Sequence, residues 1–101
     1  MLSVKDARVA RKLRRRLWEI AHIRQLAVYG SRARGTPVKY SDLDLCIELE
    51  EKVNAALRRK ICEITWEVGL DSGIVISTLM ASERLKGQPI LKAIKAEGIA
   101  V

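Results

Sequence analysis

Residues 28–49 read VYGSRARGTPVKYSDLDLCIEL. The second half of this stretch alternates polar and apolar residues. Asp42, Asp44, Cys46 and Glu48 fall on one face of a strand, and Leu43, Leu45, Ile47 and Leu49 on the other. Such a strand has one dry face for a core and one wet, acidic face. Asp42 and Asp44 are two apart, so both side chains leave the same face, with Cβ atoms about 6 to 7 Å apart. Two carboxylates at that reach can bind one hard divalent ion. Mg²⁺ is commonly held by one or two carboxylates together with substrate phosphates. Two bare aspartates side by side also repel each other, and a bound cation relieves that repulsion. Upstream, Gly30 ends the branched, apolar run IRQLAVYG, which reads as a buried strand. A missing side chain at Gly30 lets a phosphate approach the backbone closely. Ser31 adds a hydroxyl and a backbone N–H at a turn, a cradle for an anion. Arg32 and Arg34 bring positive charge; either can instead pair with Asp42, Asp44 or Glu48 and hold the loop. Gly35, Thr36 and Pro37 make the connection a loop, with room for one helical turn at Ser31. If the two strands pair, the loop carries Ser31 back over the aspartates.

The flanking sequence supplies the helices. Ser3 followed by Asp6 resembles a capping box, with Asp in place of the usual Glu. Ala10, Leu13, Leu17, Ile20 and Ala21 recur at helical spacing, which predicts a helix over residues 4–22. From Glu51 the period changes again. Val53, Leu57, Ile61, Ile64 and Val68 form a helical stripe, and Gly69 suits its C-terminal cap. GIVISTLM, residues 73–80, is the next strand. Ser82 is a candidate cap for a short turn, and Pro89 starts a last helix with Ile90, Leu91 and Ile94 inward, ending at Gly98. The order α-β-β-α-β-α predicts an α+β fold: a small, mostly antiparallel or mixed sheet with helices on its dry face. The two closely spaced strands are expected to pair as an antiparallel hairpin.

At 101 residues the chain is expected to be one domain, spanning 1–101. A core of that size leaves no room for a deep pocket, so a site is expected to be an open groove. No apolar run approaches the roughly 20 residues of a membrane span, and the charged N-terminal stretch lacks a signal-like core. A cytoplasmic protein without membrane contact is expected. Cys46 and Cys62 have no metal-type spacing and read as reduced, buried thiols. His22 reads as a surface or core residue, and Trp18 and Trp66 as core or partner packing. The formal charge of +7 is uneven. Residues 1–25 carry eight Lys/Arg against two acids, or +6, much of it in RKLRRR at Arg11–Arg16. That run is a candidate patch for phosphate, nucleic acid or an acidic partner. A solvated helix face is the plainer account, and no aromatics interleave to stack on bases.

GSRARG followed by SDLDL resembles the nucleotidyltransferases of the DNA polymerase β superfamily. Their signature is Gly-Ser, ten residues, then Asp-x-Asp. Gly30-Ser31, residues 32–41 and Asp42-Leu43-Asp44 match that spacing. The length and the terminal IKAEGIAV are similar to the minimal nucleotidyltransferases of bacteria and archaea. The resemblance covers nearly the whole chain and implies the polymerase β-type nucleotidyltransferase fold. It implies that Gly30 and Ser31 hold the β- and γ-phosphates, with Arg32 and Arg34 nearby. It implies that Asp42 and Asp44 hold Mg²⁺ (or Mn²⁺) against ATP. An acceptor hydroxyl then takes AMP and pyrophosphate leaves. By the same resemblance, the acceptor is a tyrosine of a HEPN-type toxin partner.

The chain departs from the family at one point. Active members usually carry a third carboxylate on a later strand, beside the Asp-x-Asp pair. GIVISTLM has no acid, and Ser77 occupies the third position or lies next to it. Asp71 is expected in a turn, and Glu48 lies about 13 Å beyond Asp42 along the strand. The alternative function is therefore a catalytically weak or inactive nucleotide-binding antitoxin that acts by protein–protein binding. A homodimer and a complex with a helical partner are both compatible with so small a groove.

Overall fold

The computed structural model describes residues 2–35, 42–81 and 87–101. Among these the elements run α1 (Val4–Trp18), β1 (Ile23–Tyr29), α2 (Gly30–Arg34), β2 (Leu43–Leu49), α3 (Ala55–Ser72), β3 (Ile76–Met80), α4 (Pro89–Glu97) and β4 (Ile99–Ala100). The expected loop through Thr36 and Pro37 and the expected cap at Ser82 lie outside the described residues.

The sheet is mixed, in the order β3-β2-β1-β4. β1 and β2 form the expected antiparallel hairpin, with Tyr29 opposite Asp44, Ala27 opposite Cys46, and an irregularity between Ile23 and Gln25. β3 runs parallel to β2, and α3 makes the crossover that a parallel pair requires. Leu26, Val28, Leu43, Leu45 and Ile47 are fully buried, and Leu13, Leu17, Ile61 and Val68 meet them in one core. Both strand patterns therefore place their dry faces toward α1 and α3. The extents of 34 × 32 × 18 Å suit a sheet with a helical layer on it.

Local departures from expectation have physical causes. α1 stops at Trp18; the Ile20 and Ala21 N–H groups both donate to the Leu17 carbonyl, at 3.0 and 3.1 Å. This tightened turn keeps both residues against the core without prolonging the helix. α3 is not capped at Gly69. It continues to Ser72, and Gly73 takes the left-handed cap at φ 70°. The Ile74 N–H donates to the Gly69 carbonyl and the Gly73 N–H to the Leu70 carbonyl, a Schellman closure. Gly69 is needed for a different reason: a Cβ there would lie 2.8 Å from the Ile74 carbonyl oxygen. Ile90 is exposed, so α4 buries Ile94 instead. β4 is an addition, pairing Ala100 with Ala27 and Ile99 with Val28. Trp18 and Trp66 are exposed, not in the core. Cys46 is buried but Cys62 is exposed; both are free thiols.

Candidate active site

The site begins at the turn from β1 into α2. Gly30 sits at φ +75°, in the left-handed region that favours glycine. A Cβ built on it would lie 2.5 Å from Asp44 Oδ2. The Asp44 carboxylate therefore rests against the bare backbone of the Gly30–Ser31 turn. The hairpin register makes this contact, because Tyr29 and Asp44 are paired across the two strands. Asp42 lies just before β2 and is exposed, while Asp44 is half-buried. Burial raises the Asp44 carboxyl above its ordinary range, and the negative charge of Asp42 raises it further. The Arg32 guanidinium works in the opposite direction. The repulsion between the two aspartates is thus a property of the folded chain. Next to them, burial and then the charge of Asp44 push the Tyr29 phenol up. Burial and then Glu48 push the Cys46 thiol up, which makes it a poor nucleophile.

Ser77 lies opposite Asp44 in the parallel β2–β3 ladder. Paired residues share a face, so Ser77 emerges beside Asp44. The other acids weighed for this position are elsewhere. Asp71 is in the last turn of α3, not in a turn before β3, and pairs with Lys12 at 3.5 Å. Glu48 pairs with Arg24 at 3.5 Å. His22 is exposed and joins Glu51, with Nδ1 2.6 Å from Oε1.

The two arginines of the turn tie α2 to its neighbours. Arg32 Nη1 donates to Asp6 Oδ1 at 2.8 Å, and the two side chains are 17% and 4% exposed. Arg34 Nη1 donates to Glu97 Oε2 at 3.2 Å on the surface. Ala33, between them, is buried in the core. Asp6 is the residue that the sequence pattern hides. The expected capping box is half present: Ser3 Oγ accepts from the Asp6 N–H at 3.0 Å. The Asp6 carboxylate meanwhile turns inward to Arg32. Its position in a capping pattern is a signal for a surface acid, not for a buried one.

The donor set fits one hard divalent ion. Asp42 and Asp44 offer carboxylate oxygens, and among the described residues no group of three or more His, Cys, Asp or Glu forms a cluster that could hold a metal. Two carboxylates are what Mg²⁺ takes from a protein when phosphates complete its shell. A second ion would lack an acid at Ser77.

The family model described as nucleotidyltransferase domain matches residues 8–100. Among solved structures, the chain is similar to a toxin–antitoxin crystal structure with AMP-PNP. That likeness has TM-score 0.67 at 16% identity and covers 92% of this chain and 69% of that one. A mutant of the toxin–antitoxin MntA-HpeT is similar with TM-score 0.66 at 14% identity, covering 94% and 70%. A second MntA-HpeT mutant gives 0.61 at 16%, covering 89% and 66%. At these identities the likeness is one of fold. No curated protein sequence matches the chain. Among the described residues, no helix is long and apolar enough to cross a membrane.

Proposed function

The chain belongs to the nucleotidyltransferase domain family, and on that premise we propose that it transfers AMP from ATP to a hydroxyl acceptor. The acceptor oxygen bonds to the α-phosphorus, the bridge to the β-phosphate breaks, pyrophosphate leaves, and the hydroxyl proton passes to water. Asp42 and Asp44 would hold Mg²⁺ or Mn²⁺, which neutralises charge on the triphosphate and its leaving group. Gly30 and Ser31 hold the β- and γ-phosphates against the turn, and α2 adds positive charge. Most of the catalysis is positioning and electrostatics. The observation that carries this reading is the contact between the Asp44 carboxylate and the bare Gly30 turn. On this reading, the contact would bring an anion cradle and a cation ligand together.

The test is transfer of labelled α-phosphate from each nucleoside triphosphate in Mg²⁺. Asp42→Asn with Asp44→Asn is expected to abolish transfer and Mg²⁺-dependent nucleotide binding. Unchanged binding in that variant overturns the metal site. For the acceptor we propose a tyrosine of a HEPN-type toxin, with this chain as its antitoxin. The fold likeness to toxin–antitoxin complexes supports a protein acceptor.

A second reading is favoured by one observation, the serine opposite Asp44. Without a general base at that position, transfer is slower by about 10² to 10⁴. The chain then acts as a nucleotide-binding antitoxin through its surface. Ser77→Asp separates the two readings. A gain in transfer rate and metal affinity marks a site lacking only its third acid; no gain marks a binding module.

A further inference from the structure

We propose that Asp6 is a positioning residue of the nucleotide site: it anchors the Arg32 guanidinium from behind, so that α2 holds the Gly30–Ser31 turn and Arg32 toward the triphosphate beside Asp44. This rests on the reading of Gly30, Ser31 and Asp44 as that site.

Asp6 is 3% exposed, and a carboxylate withdrawn from water needs a compensating partner. Arg32 is that partner, 26 residues away in sequence. The helix cap does not require the carboxylate, because Ser3 already takes the Asp6 N–H. Mere attachment of α2 does not require it either. Ala33 is anchored in the core, and Arg34 joins Glu97 on the other side. An apolar pair at positions 6 and 32 would hold the helix at least as well, since such replacements are often neutral or stabilising. The ion pair adds direction. A carboxylate on one nitrogen of a planar guanidinium fixes the plane of the whole fork. α2 has five residues, too few to hold its own orientation. α2 begins at Gly30, two residues before Arg32, and a Cβ on Gly30 would lie 2.5 Å from Asp44 Oδ2. The Arg32–Asp6 pair therefore ties the helix that carries the Gly30 turn, and so its contact with Asp44, to a buried anchor.

The probe is α,β-methylene ATP in Mg²⁺, whose α–β bridge resists transfer, with Kd and Tm measured together. Asp6→Asn is expected to raise Kd roughly tenfold, the magnitude of one charge-assisted hydrogen bond. Asp6→Leu with Arg32→Leu is expected to recover the Tm lost by Asp6→Asn but not the affinity. A merely structural pair predicts that both recover together, and that outcome overturns the proposal. Asp6→Glu keeps the charge and the fold but displaces the guanidinium; a wild-type Kd in that variant also overturns it. Failure of the wild-type chain to bind the analogue is a different result: it overturns the site, and the proposal with it.

Discussion

Gly30 and Gly73 both take a positive φ, +75° and +70°, in different surroundings. Nothing lies within 4 Å of a Cβ placed on Gly73, whereas one on Gly30 meets the Asp44 carboxylate. Gly73→Ala is therefore expected to cost only left-handed strain, about 1 to 2 kcal/mol, and to leave nucleotide binding intact. Gly30→Ala is also strained by its positive φ and must in addition push Asp44 aside. A larger fall in Tm and loss of Mg²⁺-dependent binding are expected together. Equal Tm losses in the two variants would remove the contact from the account. Gly30, Ser31, Asp42 and Asp44 stand out as candidates because their spacing is local, and the hairpin register sets Gly30 against Asp44. Asp6 does not, because whether an acid is buried depends on what folds over it. Arg34 and Glu97 are 63 positions apart, and no local pattern links them.

Strands and helices were legible to the extent that they are long enough to show a period. β2 has seven residues and one face of leucine and isoleucine, so its orientation followed from the alternation. β4 has two residues and no period; its pairing exists because α4 returns the chain to β1. Gly69 was misread because glycine serves both as a helix cap and as a close-contact residue. Only the approach of Ile74 separates the two roles. The junctions between elements carry their own electrostatics. Both Glu51 oxygens accept from the His22 N–H, at 2.9 and 3.0 Å, which ties the entry to β1 to the exit from β2. These bonds, the backbone N–H above all, lower the Glu51 carboxyl below its ordinary value. A carboxylate lowered on folding stabilises the chain above its unfolded pKa, near 4.3. That contribution is lost as pH falls through the lowered folded value. Glu51→Gln is thus expected to reduce Tm modestly at pH 7, with a difference that narrows as pH falls below 4 by calorimetry. A constant difference from pH 7 to pH 2 would assign the loss to something other than the charge.

The charge of the molecule is divided between the two sides of α1. Lys12 pairs with Asp71 and Arg16 with Glu67, at 3.5 and 2.5 Å, clamping α1 to α3. Arg14 donates to the Val101 carbonyl. Three of the five basic residues in Arg11–Arg16 therefore act within the fold. Among the described residues, Lys5, Arg8, Arg11 and Arg15 enter no ion pair and are exposed. Arg11 stands three residues from Arg8 and from Arg14 and four from Arg15, spacings at which like charges destabilise a helix by about 0.2 to 0.5 kcal/mol per pair. Reversing that charge turns three repulsions into three attractions. Arg11→Glu is accordingly expected to raise Tm at low salt, and Arg16→Ala to lower it. Both shifts should shrink in 1 M NaCl, where the screening length falls to about 3 Å. The same pair of variants tests whether the run also serves as a phosphate-binding patch. If exposed cations bind DNA, Arg11→Glu weakens that binding and flattens its salt dependence. Arg16→Ala, whose charge faces Glu67, leaves it nearly unchanged. DNA binding lost equally in both variants would mean that the clamp and the patch are one surface, against the division drawn from the ion pairs.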